Sequence, residues 1–438
     1  MNLRGTSILL GFSLLSSLHP GGAAPVTNAI FALPDHLDGM YMEGERITWK
    51  VSVKPREANP VTKVSYVIKK NGAVEAAKGE ICLTNNQATL TFQPESYGTD
   101  RVEFRAGDST NDVEGFCGVA VSPEKITPGT PCPENFDAFW KAKIKRLQSI
   151  PANPALTPAP GGKTGVEYFK ITLDNIDGTH VYGQLARPVA GAKFPAVLQF
   201  QHAGVYPLQK AWVTDRAAKG WLAMNIIAHD IPIDEKPEFY ENLKTNALTG
   251  YTHIGETNRE TSYFLRMLLS CYRAADYLAA RPDWDGRVFV VTGGSQGGFQ
   301  SFWTGAFFPK VTAVIVEVPA GCNTVPGRDQ PVGWPGWARS KDPKVLQTAR
   351  YYDAASFAAR ITCPVLVGVG LADSTSPAWG VFSAFNQVKG PKEIIPLPAA
   401  EHTRPPEAFK AFKDRSNDWF NSLVKGEQPP LAWRQSSN

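Results

Sequence analysis

The segment at residues 288–298 reads VFVVTGGSQGG and contains the sharpest pattern in this sequence. Its first five residues are apolar or β-branched, as is typical of a buried strand. The remainder fits Gly-x-Ser-x-Gly, and an apolar run compatible with a helix follows at residues 299–307. Glycines allow a tight turn there, because side chains would collide with neighbouring backbone. The pattern predicts a strand, a sharp turn and a helix, with Ser295 as a candidate nucleophile; the alternative is an inert serine in a glycine-rich turn.

Apolar runs alternate with helical stretches on both sides of this segment. The runs lie at residues 196–200, 222–227, 288–291, 313–316 and 365–369. Strands that are buried on both faces have such nearly continuous apolar sequences. Between the second and third runs, residues 261–280 repeat apolar side chains at helical spacing. The alternation predicts an α/β domain with a mostly parallel sheet covered by helices, and the serine turn favours the α/β-hydrolase fold.

The N-terminal quarter of the chain has a different pattern. Apolar and polar residues alternate with period two in RITWKVSV at 46–53, and turn residues such as KNG at 70–72 separate such runs. Short strands at close spacing predict a small all-β sandwich of immunoglobulin type at residues 30–122. After it, a Pro-rich linker is predicted at 123–133, a catalytic domain at 134–426 and a C-terminal tail at 427–438.

Residues 1–24 have the order of a secretory signal peptide, with a charge, a short apolar run and small residues. Arg4 precedes the apolar run at 8–15, and small residues occupy 21–24. The run is too short for a permanent membrane span. We therefore expect a secreted or periplasmic protein without membrane attachment after processing; a disordered leader or an uncleaved anchor is the alternative.

Composition and charge exclude several classes of function. Of the 438 residues, 43% are hydrophobic and 20% are charged, which is normal for a globular protein. The net charge of +4 includes no run of Lys and Arg, so we expect no nucleic-acid partner. The sequence has no Cys-x-x-Cys or His-x-His cluster, so no metal site is predicted. Cys82 and Cys117 are a candidate disulfide pair, although the sequence leaves the connectivity open.

A nucleophilic serine needs a base and an acid, which follow it along the chain in this fold. His402 is the only histidine after Ser295, and it lies beyond a strand-like run, so we predict that it is the base. Asp373 stands just past the apolar run at 365–369, so we predict that it orients the base. The alternative role of Asp373 is to cap the helix that begins near Pro377.

The oxyanion hole of this fold is built from two backbone N–H groups. One is predicted to belong to Gln296, the residue after the nucleophile. The other is predicted in the loop after the run at 196–200, at Gly204, with Ala203 as the alternative. His202 in the same loop is interpreted as a structural hydrogen-bonding residue rather than a second base.

Seven segments carry a resemblance to a known family. They are ENFDAFW at 134–140, GGSQGG at 293–298, YDA at 352–354, CPVL at 363–366, GLAD at 370–373, FN at 385–386 and GPKEI at 390–394. These segments resemble the acetyl xylan esterase and cephalosporin C deacetylase family, carbohydrate esterase family seven. The resemblance implies a serine esterase that removes acetyl groups from acetylated xylan or other small esters, without a metal or cofactor.

Three motifs depart from that family's pattern. AHDIP at 228–232 stands where the family has Arg-Gly-Gln, HAG at 202–204 where it has His-Gly-Tyr, and HT at 402–403 where it has His-Glu. The first two bear on the choice of substrate and on the shape of the pocket. The first motif and the extra N-terminal domain leave the oligomeric state open.

Two alternative functions are a serine peptidase of the same fold and a non-catalytic carbohydrate-binding protein. Trp334, Trp337 and Trp379 are interpreted either as the lining of a sugar-binding mouth or as ordinary core residues. A correctly ordered set of nucleophile, acid and base favours an enzyme over a binding protein.

Overall fold

The computed structural model describes residues 29–54, 61–106 and 113–431. The predicted signal peptide at 1–24 lies outside the described residues, as does the end of the predicted tail at 432–438. None of the helices within the described ranges has the length and apolar character that a bilayer span requires.

The N-terminal part folds into short strands, which we call the β-domain. Its described strands are β1 (Ala29–Pro34), β2 (Met40–Tyr41), β3 (Ile47–Lys54), β4 (Lys63–Lys70), β5 (Val74–Cys82), β6 (Gln87–Phe92), β7 (Gly98–Ala106) and β8 (Val113–Val121). They form a three-stranded sheet in the order β1-β3-β6 and a five-stranded sheet in the order β2-β8-β7-β4-β5. Trp49 in β3, Val102 in β7 and Val119 in β8 are fully buried in one shared core. The two sheets therefore pack face to face.

The larger part, which we call the α/β-domain, contains a nine-stranded sheet among its described residues. Its strands are β9 (Ala155–Ala159), β10 (Val166–Asp174), β11 (His180–Pro188), β12 (Phe194–Phe200), β13 (Leu222–Ile226), β14 (Trp284–Gly294), β15 (Ala313–Glu317), β16 (Val365–Gly370) and β17 (Lys392–Leu397). Their order is β17-β16-β15-β14-β12-β13-β11-β10-β9. The strands from β12 to β17 run parallel, and β9 to β11 form an antiparallel edge. The predicted mostly parallel sheet is confirmed.

Helices cover both faces of this sheet. The described helices are α1 (Phe136–Gln148), α2 (Ala211–Ala217), α3 (Pro237–Thr245), α4 (Tyr263–Ala280), α5 (Gln296–Phe307), α6 (Pro343–Ala349), α7 (Ala354–Ala358), α8 (Ala378–Gln387) and α9 (Lys410–Leu423). In β14, Phe289 and Val291 belong to the core under α4 and α5, whereas Val288 and Val290 belong to the core under α2 and α9. Successive side chains of a strand point to opposite faces, so a strand covered on both sides is apolar at every position.

The sheet brings the predicted site residues to one edge. The carboxyl ends of parallel strands meet at the same edge of a sheet. Ser295 directly follows β14, Asp373 follows β16, and His402 lies in the loop after β17. In this part of the sheet, β15 lies between β14 and β16.

The predicted linker at 123–133 is bound to the α/β-domain. The side-chain amide of Asn386 donates to the carbonyl of Pro123 at 2.8 Å, and the Gly129 N–H donates to the Asn323 side chain at 2.8 Å. The chain between the β-domain and the α/β-domain is therefore held against the latter.

Candidate active site

The serine lies on a strained turn between β14 and α5. Ser295 has φ 54° and ψ −121°, a region that non-glycine residues rarely adopt. Two hydrogen bonds hold it there, from its N–H to the Glu317 carbonyl at 3.0 Å and from the Ala320 N–H to its own carbonyl at 2.9 Å. A Cβ at Gly297 would lie 2.6 Å from the Phe200 carbonyl oxygen, so only glycine lets α5 approach β12 this closely. The local geometry is that of a nucleophile elbow.

Ser295, His402 and Asp373 form a hydrogen-bonded chain. The His402 Nε2 atom lies 2.8 Å from the Ser295 Oγ atom, and its Nδ1 atom lies 2.7 Å from an Asp373 carboxylate oxygen. Ser295 is 6% exposed and the Asp373 side chain is fully buried. Along the chain, His402 is 107 positions from Ser295 and 29 positions from Asp373. The arrangement allows His402 to remove the serine proton while Asp373 stabilises the resulting imidazolium.

The second oxygen of Asp373 is bound by its own turn. The backbone N–H groups of Thr375 and Ser376 donate to it at 2.7 and 2.8 Å. One carboxylate therefore caps the turn before α8 and also binds the His402 ring. The two roles predicted for Asp373 are compatible, because each uses a different oxygen.

Gln296 and Gly204, the predicted oxyanion donors, are joined by a tyrosine that sequence reasoning missed. The Gly204 N–H donates to the Tyr251 hydroxyl at 3.3 Å, and this hydroxyl donates to the Gln296 side-chain oxygen at 2.5 Å. Burial raises the pKa of Tyr251, so the hydroxyl stays protonated. Gln296 is the first residue of α5, so its own backbone N–H has no acceptor within the helix. No sequence pattern marks Tyr251.

A buried histidine fixes the loop that contains Gly204. His229 has no exposed surface, and its Nε2 and Nδ1 atoms lie 2.9 Å from the Gly204 carbonyl and 2.6 Å from the Tyr263 hydroxyl. Burial lowers the pKa of His229 to about 4, so the ring is neutral near pH 7. A carbonyl only accepts, so Nε2 carries the proton and Nδ1 accepts from Tyr263.

His202 lies directly beside the candidate nucleophile, Ser295. A Cβ at Gly294 would lie 2.6 Å from the His202 Cε1 atom, so the ring packs against the backbone that precedes Ser295. His202 as a residue is exposed, but burial of its ring and the nearby His402 lower the pKa of the imidazole. The ring of His202 is thus neutral near pH 7 and packs against the serine turn.

The three tryptophans occupy different environments. Trp337 is 1% exposed, and its indole N–H donates to the Thr252 carbonyl at 2.9 Å. Trp379 is also buried and stacks on Tyr97 with ring centres 6.1 Å apart. Both are core residues, whereas Trp334 is half-buried. Of the three tryptophans, only Trp334 therefore keeps the interpretation as part of the lining of a sugar-binding mouth.

The candidate disulfide is wrong. Cys82 lies on β5 and Cys117 on β8, and the sheet places β4 and β7 between those strands. Three strand spacings amount to about 14 Å, whereas bridged Cα atoms are rarely more than about 7 Å apart. All six cysteines are free thiols. Among the described residues, no group of three or more His, Cys, Asp or Glu side chains is arranged to hold a metal ion.

Among curated proteins, the chain is similar to the acetyl esterase Axe7A of Xylanibacter ruminicola. The two sequences are 29% identical over 381 residues, which cover 84% of this chain and 86% of Axe7A. The similarity therefore extends beyond the α/β-domain.

Two solved structures share a fold with more than two thirds of this chain. Acetyl xylan esterase 1 from Thermoanaerobacterium sp. JW/SL YS485 has a TM-score of 0.58 and 22% identity, and the match covers 69% of this chain and 97% of that one. The acetyl xylan esterase from Paenibacillus sp. R4 has a TM-score of 0.57 and 20% identity, with 70% and 98% covered. Neither structure has a counterpart for almost a third of this chain. The expected α/β-hydrolase fold is thus confirmed.

The family model of the acetyl xylan esterases (AXE1) matches residues 124–325 and 336–423. The match includes the serine turn and the two loops that carry Asp373 and His402. With well over half of its length matched, this chain belongs to the acetyl xylan esterase family.

Proposed function

We propose that this protein is a serine esterase that removes acetyl groups from acetylated xylan or related acetylated sugars. The observation that carries the proposal is the chain of hydrogen bonds from Ser295 through His402 to Asp373, at 2.8 and 2.7 Å. Membership of the acetyl xylan esterase family and the similarity to an acetyl esterase support the acetyl group as the acyl part of the substrate.

The first half-reaction transfers the acetyl group to the enzyme. His402 Nε2 takes the Ser295 proton while the serine oxygen attacks the acetyl carbonyl carbon, and the carbonyl oxygen becomes an oxyanion. Asp373 stabilises the imidazolium that forms. The bond between the carbonyl carbon and the sugar oxygen then breaks, and His402 gives its proton to the leaving sugar alcohol.

The second half-reaction uses water. His402 takes a proton from a water molecule, whose oxygen attacks the acetyl carbonyl on Ser295. The second oxyanion collapses, acetate leaves, and the serine oxygen regains the proton from His402. The cycle needs no metal or cofactor.

We assign the oxyanion hole to the backbone N–H groups of Gln296 and Gly204. The Gln296 group is free for a ligand at the start of α5, where the helix dipole also favours negative charge. The Gly204 group makes a long bond of 3.3 Å to Tyr251, and an oxyanion is a stronger acceptor than a phenol. We therefore expect this N–H to donate to an oxyanion as well, while Tyr251 keeps the Gly204 loop beside Gln296.

Replacement of Tyr251 by phenylalanine tests this assignment. The variant loses the hydroxyl that holds the Gly204 loop to the Gln296 side chain. We expect kcat on 4-nitrophenyl acetate to fall about 10-fold with little change in KM, because the loop is less well ordered for the transition state. The Gln296 side-chain oxygen is left without its partner, so the free energy of unfolding is expected to fall by about 1 to 3 kcal/mol. An unchanged kcat, measured without denaturant, would contradict the role of Tyr251 in ordering the Gly204 loop for catalysis.

We also infer the organisation of the chain around this reaction. Two facing sheets with three and five strands support an immunoglobulin-like sandwich for residues 30–122, followed by the linker at 123–133 and the catalytic domain at 134–426. The charge, apolar run and small residues of 1–24 support export to the periplasm or the medium, with removal of that segment. An acetylated polysaccharide outside the cell is accessible only to an exported enzyme.

An acetate-release assay tests the proposed substrate class. The panel contains acetylated xylan, acetylated xylo-oligosaccharides, cephalosporin C and 4-nitrophenyl acetate, each with the unaltered full-length protein. We expect acetate from the acetylated carbohydrates at the highest kcat/KM. Peptide hydrolysis without acetate release would indicate the serine peptidase instead, and binding to xylan without acetate release would indicate the non-catalytic binding protein.

A further inference from the structure

The β-domain contacts the loops that hold the acid and the base. The acid loop is residues 371–376 and the base loop is residues 398–405. The Gly118 N–H in β8 donates to the Pro398 carbonyl of the base loop at 2.8 Å. A Cβ on Gly118 would lie only 2.0 Å from the Leu371 carbonyl oxygen of the acid loop. One strand of the β-domain therefore lies directly against the backbone of both loops.

An ion-pair cluster joins the base loop to the same sheet. Arg101 in β7 bonds one carboxylate oxygen of Glu401 at 3.0 Å and also lies 3.1 Å from Glu103. The other oxygen of Glu401 accepts from Arg404 at 2.5 Å. Both guanidinium groups lie over the Phe116 ring, at 4.7 and 5.6 Å from its centre. The side chains of Arg101 and Glu401 are 11% and 12% exposed. The carboxylate next to the proposed base is therefore held from two directions, one of them the β-domain.

The ion pair between Arg101 and Glu401 is expected to contribute more to the position of the base loop than an ordinary surface ion pair would. The side chains of Arg101 and Glu401 are largely removed from water, so the loss of Arg101 weakens the compensation of the Glu401 charge. Without Arg101, Lys69 would still pair with Glu103 at 2.7 Å, but Glu401 would keep only Arg404, whose side chain is 67% exposed. The base loop would then be released on the side of the β-domain. His402 is adjacent to Glu401, and a displacement of about 1 Å in a catalytic group costs about 100-fold in rate.

We propose that the β-domain is a positioning part of the active site. Arg101 holds the base loop and Gly118 supports both loops, so that His402 and Asp373 keep the spacing that proton transfer requires. Neither residue is catalytic, because both act through the loops. The inference rests on the proposed roles of the serine, the base and the acid.

The main test compares Arg101→Met and Arg101→Lys in the full-length protein. For Arg101→Met we expect kcat on 4-nitrophenyl acetate to fall about 10- to 100-fold with KM nearly unchanged. The labelling of Ser295 by a fluorophosphonate, followed by intact mass, is expected to slow by the same factor. Arg101→Lys is expected to recover most of the loss, because the lysine keeps a cation between the two carboxylates.

Arg105→Met is the matched control. Arg105 lies on the same strand and pairs with Glu114 within the β-domain, and its side chain is 58% exposed. The same chemical change at this site is expected to leave kcat and the labelling rate within about twofold, because exposed pairs contribute little.

A second variant tests the contact with the backbone independently of charge. Gly118→Ala introduces a Cβ that overlaps the Leu371 carbonyl, and backbone cannot move aside as a side chain does. We expect a lower kcat and slower labelling of Ser295. The control is Gly79→Ala in β5, where the new Cβ meets the Tyr66 hydroxyl oxygen at 3.0 Å and neither of the two loops.

The outcomes separate this proposal from the proposed reaction. If the unaltered protein is not labelled at Ser295, the assignment of the nucleophile fails. If the unaltered protein is labelled normally and folded Arg101→Met and Gly118→Ala are labelled at the same rate, the positioning role is refuted. Lower thermal stability with unchanged rates at 25 °C also refutes it, because the domain would then be only structural. A changed KM for acetylated xylan, with unchanged turnover of 4-nitrophenyl acetate, would refute it in favour of a carbohydrate-binding role.

Discussion

Replacement of Ser295 by alanine is expected to lower kcat on 4-nitrophenyl acetate by about 10⁴- to 10⁶-fold, because no other group forms the acyl-enzyme. The Ser295 Oγ atom lies 2.8 Å from His402 Nε2. In the proposed mechanism, the O–H bond of this serine is the first bond to break. The fold should be unchanged, since the strained turn is held by backbone hydrogen bonds of Ser295 and by nearby glycines. Hydrolysis assays over long times measure the loss of kcat, and circular dichroism checks that the fold is unchanged.

Ser301→Ala is a suitable control for this experiment. Ser301 lies in α5, six residues after the proposed nucleophile, and its hydroxyl donates to the Gly297 carbonyl at 2.8 Å. The control removes the same atom, a serine Oγ, from the helix that directly follows Ser295, and it is expected to retain activity within a few-fold. Rapid mass spectrometry should also detect an acetyl adduct in the unaltered protein and none in Ser295→Ala. More than 10% of the original kcat in Ser295→Ala would exclude Ser295 as the nucleophile.

Replacement of Asp373 by asparagine is expected to lower kcat by about 10⁴-fold while KM changes little. The backbone N–H groups of Thr375 and Ser376 require an acceptor at one oxygen, so the side-chain oxygen of asparagine must stay there. The NH₂ group then faces the Nδ1 atom of His402, which lies 2.7 Å from that position. Nδ1 becomes an acceptor, the proton moves to Nε2, and the ring can no longer accept a proton from Ser295.

The pH profile and a matched variant complete this test. The loss of kcat in Asp373→Asn should persist across the pH range in which the unaltered protein is active, because the tautomer is held by geometry. Asp342→Asn changes an exposed N-cap of α6, whose carboxylate accepts from the Lys344 N–H at 2.8 Å. It is expected to leave kcat unchanged. A loss of less than 10-fold in Asp373→Asn would mean that another group orients His402.

The neighbouring carboxylate is not that group. Glu401 directly precedes His402 in sequence, but its carboxylate is bound to Arg101 and Arg404. One carboxylate oxygen accepts from Arg101 and the other from Arg404, whereas the imidazole is bound by Asp373. The contacts of Glu401 connect the β-domain to the base loop, and this connection is the basis of the positioning role that we propose for the β-domain.

The serine turn and the alternation of strands and helices were readable from sequence because they are local patterns. A strand covered on both faces is apolar at every position, and a turn packed against a neighbouring strand requires glycine at positions such as Gly297. Chain order then restricted the base to His402, the only histidine after Ser295. The parallel sheet and the α/β-hydrolase fold followed from these features.

The amino-acid sequence by itself thus determined the fold of the larger domain and the candidate nucleophile, base and acid. Only the tertiary structure decided which distant side chains support them, such as Tyr251 beneath the Gly204 loop and Arg101 on the base loop. It also separated Cys82 from Cys117 by two intervening strands. The physical reason is that hydrophobic periodicity and turn chemistry act over a few residues, whereas these contacts join residues tens to hundreds of positions apart, and their partners depend on how the sheets and loops pack.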